Sequence, residues 1–424
     1  MSQIAWLAVI LFVIIYAIII SEKVHRTKIA LAGAAAVLLL KITSQEEAIH
    51  SIDFNTLGLL IGMMMIVAIS RKTGIFQYLA IKATKKVEGD PIKLMFVLYA
   101  LTAVLSALLD NVTTVLLLTS VIFAITDILK INPLPFLVME ILASNTGGTA
   151  TLIGDPPNIM IGSATGLGFN DFLVNMAPVA TAISIVTMVI LYFIYRKELV
   201  VAPENRQKII MMNENVFLTD PLLLRKSLFV LAATIIGFAL HQLFHFESAT
   251  VALAGGSLLM LISGIDPEEV FHEVEWNTIF FFIGLFVLVG SLEVTGVIGL
   301  VAQWALDFTQ GNMLLMNFLV LWLSAFASAF IDNIPFVATM IPLIQSMAEI
   351  GGLDVSSLWW TLALGACLGG NGTLIGASAN VVVMSMAEAH GTPISFKGFM
   401  KVGLPIMVVS IIIANIYVYF AYLS

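Results

Sequence analysis

Two short polar stretches interrupt an otherwise lipid-soluble chain: GGTATLIGDPPN from Gly147 to Asn158, and GGNGTLIGASAN from Gly369 to Asn380. Gly costs backbone entropy and Pro removes an amide donor, so neither stretch continues a helix. Unpaired peptide groups cannot face lipid, and broken backbone at membrane depth must be buried in protein or line a wet cavity. Thr149, Thr151, Asp155 and Asn158 in the first stretch offer hard oxygen ligands, as do Asn371, Thr373, Ser378 and Asn380 in the second. Such oxygens suit Na⁺ or a proton-bearing water. The free N–H groups where each half-helix resumes favour an anion instead. The chemistry admits a cation, an anion or both, and the same polar groups also serve to satisfy a kinked backbone.

Two acids come next. LLDNVTTV and FIDNIPFV place Asp110-Asn111 and Asp332-Asn333 midway along two long apolar runs. Carboxylates inside a membrane mark ion paths, proton relays or paired sites. With amide oxygens beside them, they make two candidate Na⁺ or proton sites: Asp110, Asn111 and Asn158, and Asp332, Asn333 and Asn380. Each Asp is equally placed to cap the helix that follows it, and the two roles are compatible. Asp155 aligns with Ala377, so the breaks differ in charge. Ser144, Asn145 and Thr146 face Ala366, Cys367 and Leu368 in the alignment, which makes Asn145 a candidate cavity residue on one side only. Glu140 aligns with Leu362 and is either a deep carboxylate or one at the membrane edge. His50 and His272 follow Glu pairs in equivalent loops and read as structural duplicates. Asp110 and Asp332 lack the setting of a protease dyad, and no enzymatic role or cofactor is expected beyond Na⁺ or H⁺ as coupling ion.

The elements that position these residues follow from composition and repetition. The chain of 424 residues is 60% hydrophobic and 11% charged, with mean hydropathy +1.04. Soluble domains carry about 25% charge, so this is an all-α polytopic membrane protein. Nothing basic and aromatic points to nucleic acid, and the lone Cys367 excludes an intrachain disulfide. Apolar runs fall at 4–20, 28–43, 55–70, 92–129, 134–168 and 172–195, and again at 226–243, 249–265, 277–292, 314–349, 358–387 and 402–423. Without a basic leader or cleavage site, 4–20 reads as a retained span.

A constant offset of 222 residues relates the halves: Glu46, Glu47 and His50 meet Glu268, Glu269 and His272, and Asp110-Asn111 meets Asp332-Asn333. The reading is an inverted repeat of two five-span halves, each with a re-entrant hairpin and a broken helix. Residues 1–196 hold the first, with hairpin 92–129 and broken helix 134–168. Residues 225–424 hold the second, with hairpin 314–349 and broken helix 358–387. Between them, 197–224 is a cytoplasmic linker, read as a tether. Putting the amino terminus outside gathers all but Lys41 of the 19 basic residues on one face. The positive-inside rule makes that face cytoplasmic and both termini external. Gly74 to Lys86 suits a helix lying along the inner interface.

The paired tips and GGTATLIGDPPN with its echo resemble the ion transporter superfamily, most closely its ArsB/NhaD type: arsenite permeases, NhaD-type sodium/proton antiporters and the P-protein branch. The resemblance implies a homodimer in the cell (inner) membrane, surrounded by lipid. It also implies a scaffold domain, a transport domain and elevator-like alternating access. The implied site is Asp110-Asn111 with 147–158, and Asp332-Asn333 with 369–380. Related dicarboxylate symporters carry Ser-Asn-Thr at the tips, where this chain has Asp-Asn-Val and Asp-Asn-Ile; an acid at both tips repels a di- or tricarboxylate unless it is neutralised. The sequence therefore favours a proton- or sodium-coupled cation/proton antiporter for a small ion. Arsenite or other anion efflux, carboxylate transport and an anion channel are the alternatives.

Overall fold

The computed structural model describes residues 1–21 and 23–424. Among them all regular structure is helical, and ten helices are long and apolar enough to cross a membrane. Large apolar side chains stay exposed on the flanking helices, including Val174 and Phe193 on Phe169–Tyr195 and Trp304 and Phe308 on Val297–Thr309. Exposed apolar surface on this scale marks contact with lipid or another protein rather than water.

The repeat read from the sequence recurs in the helix boundaries. Pro91–Leu108 and Asn111–Leu129 reappear as Met313–Phe330 and Asn333–Gly351, and Gln45–His50 reappears as Pro267–His272. Local chemistry sets these ends. Asp90 accepts from the amides of Ile92 and Lys93 at 3.1 and 3.0 Å with Pro91 in the first turn, and Asn312 accepts from Leu315 N at 3.0 Å. Pro at that position loses no intrahelical bond. Each hairpin then turns at an Asp that starts the returning arm.

The broken runs resolve into Leu134–Gly148 and Pro156–Thr165, and into Ser356–Gly369 and Ser378–Ala389. Leu134–Gly148 packs on the first hairpin and Ser356–Gly369 on the second. Around them, Phe54–Arg71 packs on Ser248–Ser263, and Trp276–Val294 on Arg26–Leu39, so each pair joins the two halves.

The connector departs from the expected tether. It forms the helix Pro203–Ile210 and a single turn at Glu214–Phe217. Ile209 is fully buried, Asn205 Nδ2 donates to Leu129 O at 3.2 Å, and Arg206 lies 3.6 Å from Asp90. Lys85, at the end of Ile75–Lys86, donates to Met212 O at 2.7 Å and pairs with Glu214. That pair holds the Glu214 carboxyl below its usual range, because the lysine favours the charged form. Apolar residues inside a polar stretch, invisible as a periodic pattern over so few positions, are what dock it.

Candidate functional site

The site is built on the two hairpin tips and the two breaks, and each break lies against its own hairpin. In the first half Ser106 Oγ donates to Ser144 O at 2.7 Å, Ser144 Oγ to Asn111 O at 3.1 Å, and Thr151 Oγ1 to Ala107 O at 2.5 Å. In the second, Ser328 Oγ donates to Ala366 O at 2.6 Å and Thr373 Oγ1 to Ala329 O. Glycine permits the approach: a Cβ on Gly147 would stand 2.2 Å from Ala103 O, and one on Gly369 2.5 Å from Ala325 O.

The last residue of each motif closes the unwound backbone. Asn158 Nδ2 donates to the carbonyls of Gly148, Thr149 and Thr151 at 3.2, 3.3 and 2.8 Å. Asn380 Nδ2 donates to Gly370 O and Thr373 O at 2.7 and 2.9 Å. These amides satisfy carbonyls freed by the break, which buried backbone requires. Their oxygens face the other half. Cys367 Sγ lies 3.4 Å from Asn158 Oδ1, and Asn145 Nδ2 donates to Asn380 Oδ1 at 2.9 Å and to Asn371 Oδ1 at 3.1 Å. Asn371 Nδ2 reaches Thr146 Oγ1 at 3.4 Å, and Thr149 Oγ1 turns back to Asn145 O at 2.7 Å. Asn145, Asn158, Asn371 and Asn380 thus form a fully buried bridge between the breaks.

In front of that bridge lies a small chamber of about 20 Å³, lined in part by Asp110, Asn111, Asp155, Asn333 and Ser378. A cavity needs roughly 10–15 Å³ to hold one water, so the chamber has room for a single water-sized occupant. Asp110 caps its helix: Thr113 N donates to Oδ1 at 2.8 Å and Thr113 Oγ1 to Oδ2. Asp155 crosses to the other half, accepting from Asn333 Nδ2 at 3.3 Å on each oxygen. Asn111 Oδ1 is buried without a protein partner. Asp110, Asn111, Asn333 and the charged end of the first break therefore meet, with Asp332 on the neighbouring larger cavity, while Asn145, Thr149, Thr151, Asn158, Asn371, Thr373 and Asn380 stand behind them.

Sequence reasoning missed two residues here. Arg26, counted only as a loop charge, pairs with Asp332 and donates to Ser378 Oγ at 2.8 Å; Ser378 Oγ donates to Asp332 Oδ2 at 2.6 Å. Glu275 also lines the chamber, its Oε2 accepting from Thr278 Oγ1 at 3.0 Å. Its repeat counterpart Asp53 does the same with Thr56 at 2.5 Å, a clue the offset could have given. Glu140 proves fully buried, held by Thr119 Oγ1 at 2.9 Å, away from the chamber lining.

Two larger cavities flank the centre. One, of about 710 Å³, reaches Asp332 and Ser378 past His25, Arg26, His272 and Glu275. The other, of about 340 Å³ and lined in part by His50, Asp53, Ser163 and Gln345, touches neither tip aspartate. There Asp53 Oδ1 accepts from Ser163 Oγ at 2.8 Å, and Asn55 Nδ2 donates to the same hydroxyl at 3.1 Å.

Helices that cross a membrane, a buried polar centre and one open approach to it define a membrane transporter. The sequence profile of the family described as "Citrate transporter" matches residues 16–365, and the chain belongs to that family, within the ion transporter superfamily. It is 41% identical to the "46 kDa membrane protein" of Mycobacterium leprae over 98% of this chain and 99% of that one. An uncharacterized transporter of Mycobacterium tuberculosis is 42% identical over 98% of both chains. The human P protein is 36% identical over 96% of this chain, which spans 59% of that longer protein. Among solved structures, the crystal structure of the Alcanivorax borkumensis YdaH transporter matches with a TM-score of 0.58 at 12% identity, covering 99% of each chain, a likeness of fold.

Proposed function

We propose that the chain is a secondary active transporter, coupled to H⁺ or Na⁺, whose central chamber binds a small cation and which runs as a cation/proton antiporter. One observation carries this reading: Asp110, Asp155 and Glu275 line a space for one water-sized occupant, with Arg26 as the only basic residue among the lining. Carboxylates gathered in a low-dielectric centre call for a cation or protons to neutralise them. A free tricarboxylate finds neither room nor favourable charge there. The hairpins and breaks form the moving domain, the cross-packed helix pairs the scaffold of a homodimer, and the motion is elevator-like. The Lys- and Arg-rich face, with the connector and the 710 Å³ cavity, is the cytoplasmic face of a cell membrane, and both termini lie outside.

A second reading is favoured by Arg26 and the family description: a carboxylate bound in the larger cavity, carried together with the cation that neutralises the acids. Proteoliposomes loaded at one pH and diluted into another separate the two. Uptake of ²²Na⁺ driven by an outward proton gradient, without citrate, supports antiport. Uptake of labelled citrate only when a cation is present supports the second reading. No flux of either under any imposed gradient removes both.

A further inference from the structure

We propose that Arg26 is a built-in counter-cation, which the incoming cation must displace from Asp332, so that Arg26 sets the site's cation affinity and ties occupancy to release of the second hairpin from the scaffold. The inference rests on the cation reading above and adds a residue that the repeat and the motifs leave out.

Arg26 starts the helix Arg26–Leu39, outside both hairpins and both breaks. Its neighbour Thr27 donates to Asn277 O at 2.8 Å, and its guanidinium lies over the Phe281 ring, 4.9 Å from the centroid. Asn277 and Phe281 belong to Trp276–Val294, so the base of Arg26 is held by the scaffold pair. Its tip is held by the other domain, through Asp332 on the hairpin and Ser378 on the resumed half-helix. The guanidinium also lines both the central chamber and the 710 Å³ cavity, which places it where the two meet.

Asp332 is crowded. Oδ2 accepts from Arg26 and Ser378, and Oδ1 from Ile334 N at 3.2 Å. One carboxylate cannot neutralise a guanidinium and a metal cation at full strength together, since the two positive charges repel at contact distance. Arg26 lines the chamber and Asp332 stands next to its lining residue Asn333, so a cation that reaches Asp332 from the chamber competes with Arg26. The displaced guanidinium has a second carboxylate at hand, because Glu275 lines the same chamber and cavity. Moving from Asp332 to Glu275, it would pass from the mobile hairpin to the edge of its own scaffold. Asp110 on the first hairpin has no equivalent arginine: the counterpart of Arg26 in the second half is Ser248, whose hydroxyl lies 3.4 Å from His241 Nε2.

The test uses purified full-length protein, with thermal midpoints titrated against Na⁺ and, separately, Mg²⁺ in a choline chloride background. A ligand that binds only the folded state stabilises it as the logarithm of one plus its concentration over Kd, so the concentration at which the midpoint starts to climb reports the affinity. The wild type is expected to respond to one of these ions. The Arg26→Gln midpoint should start to climb at roughly three- to tenfold lower concentration, as removal of a partly exposed competitor predicts, while its saturated uptake rate in proteoliposomes falls. Arg26→Lys should restore wild-type affinity within about twofold. Should Arg26→Gln fail to fold, Phe281→Leu loosens the same guanidinium and should tighten cation binding by roughly two- to fivefold. Tighter cation binding on removal, reversed by Arg26→Lys, marks the charge at this position as the competitor, since lost packing alone gives neither result. Unchanged or weaker binding in Arg26→Gln and Phe281→Leu, beside a responsive wild type, overturns the counter-cation alone. A wild type blind to both ions removes the cation reading and this inference with it.

Discussion

Asp110 and Asp332 occupy matching positions on matching hairpins, yet they are held in different ways. Asp110 is satisfied from within its own helix, by the amide and hydroxyl of Thr113 three residues on. Pro335 stands at the equivalent position of the second hairpin and offers neither donor. Asp332 turns outward instead, to Ser378 and to Arg26 at the start of the helix Arg26–Leu39. The breaks diverge in a complementary way: Asp155 takes Asn333 from the opposite tip, whereas its counterpart Ala377 offers the Asn111 amide no carboxylate. The two halves differ at Thr113, Asp155 and Arg26, which leaves one tip a self-contained acid and the other a bridged one.

That contrast can be broken first where both halves must agree. Gly147→Ala and Gly369→Ala each drive a methyl into a backbone carbonyl, at 2.2 and 2.5 Å. Both should lower stability by about 3 kcal/mol or more, read as a loss of folded protein by size-exclusion chromatography in detergent. Survival of either variant at wild-type yield would mean the breaks do not press on their hairpins.

The tips themselves should respond unequally. Asp332→Asn leaves Arg26 without its carboxylate and should cost about 1–3 kcal/mol, discounted for the partial exposure of the pair. Asp110→Asn keeps a competent helix cap and should cost under about 1 kcal/mol. Thermal midpoints of the two variants side by side measure the difference, and equal losses would erase the asymmetry. A finer probe is Asp155→Ala, which gives the first break the residue of the second. Asn333 then loses both acceptors, and gradient-driven flux should fall by about 100-fold or more while the fold persists, if the chamber needs that charge. Ordinary flux would remove Asp155 from the site.

The smallest effect concerns the connector, which exists only between the halves. Pairing with Lys85 depresses the Glu214 carboxyl in the folded protein. The pairing therefore stabilises docking above the ordinary carboxylate range, near about 4.3, and that contribution fades as pH falls through the lowered folded value. Hydrogen exchange at residues 203–217, corrected for intrinsic rates, should rise at low pH in the wild type and at neutral pH in Glu214→Gln. A flat response across pH would show that Ile209 and Asn205 hold the connector unaided.

Much of this was legible because duplication writes the same constraint twice. The Asp-Asn pairs and GG-x-x-TLIG-x-x-x-N fix where helices must stop, and the hairpin boundaries recur with the same 222-residue spacing. What resisted reading is long-range and asymmetric. Nothing local links Arg26 to Asp332, 306 residues later. Nor does a motif announce that the amides of Asn158 and Asn380 will turn toward freed carbonyls, leaving the chamber to the acids in front. Glu140 looked ambiguous because depth within a run depends on neighbours such as Thr119 from another helix.

The asparagine bridge has a bearing on stoichiometry. A single amide, Asn145, grips two side chains of the opposite break, and Cys367 approaches Asn158 from the other direction. Lodged in the protein interior, these links leave neither unwound segment free to shuttle alone. On the exchange proposed above, whatever rides beside one must ride with the other, so the ion ratio would be geared by the fold itself and hold constant however steep the gradient that drives it.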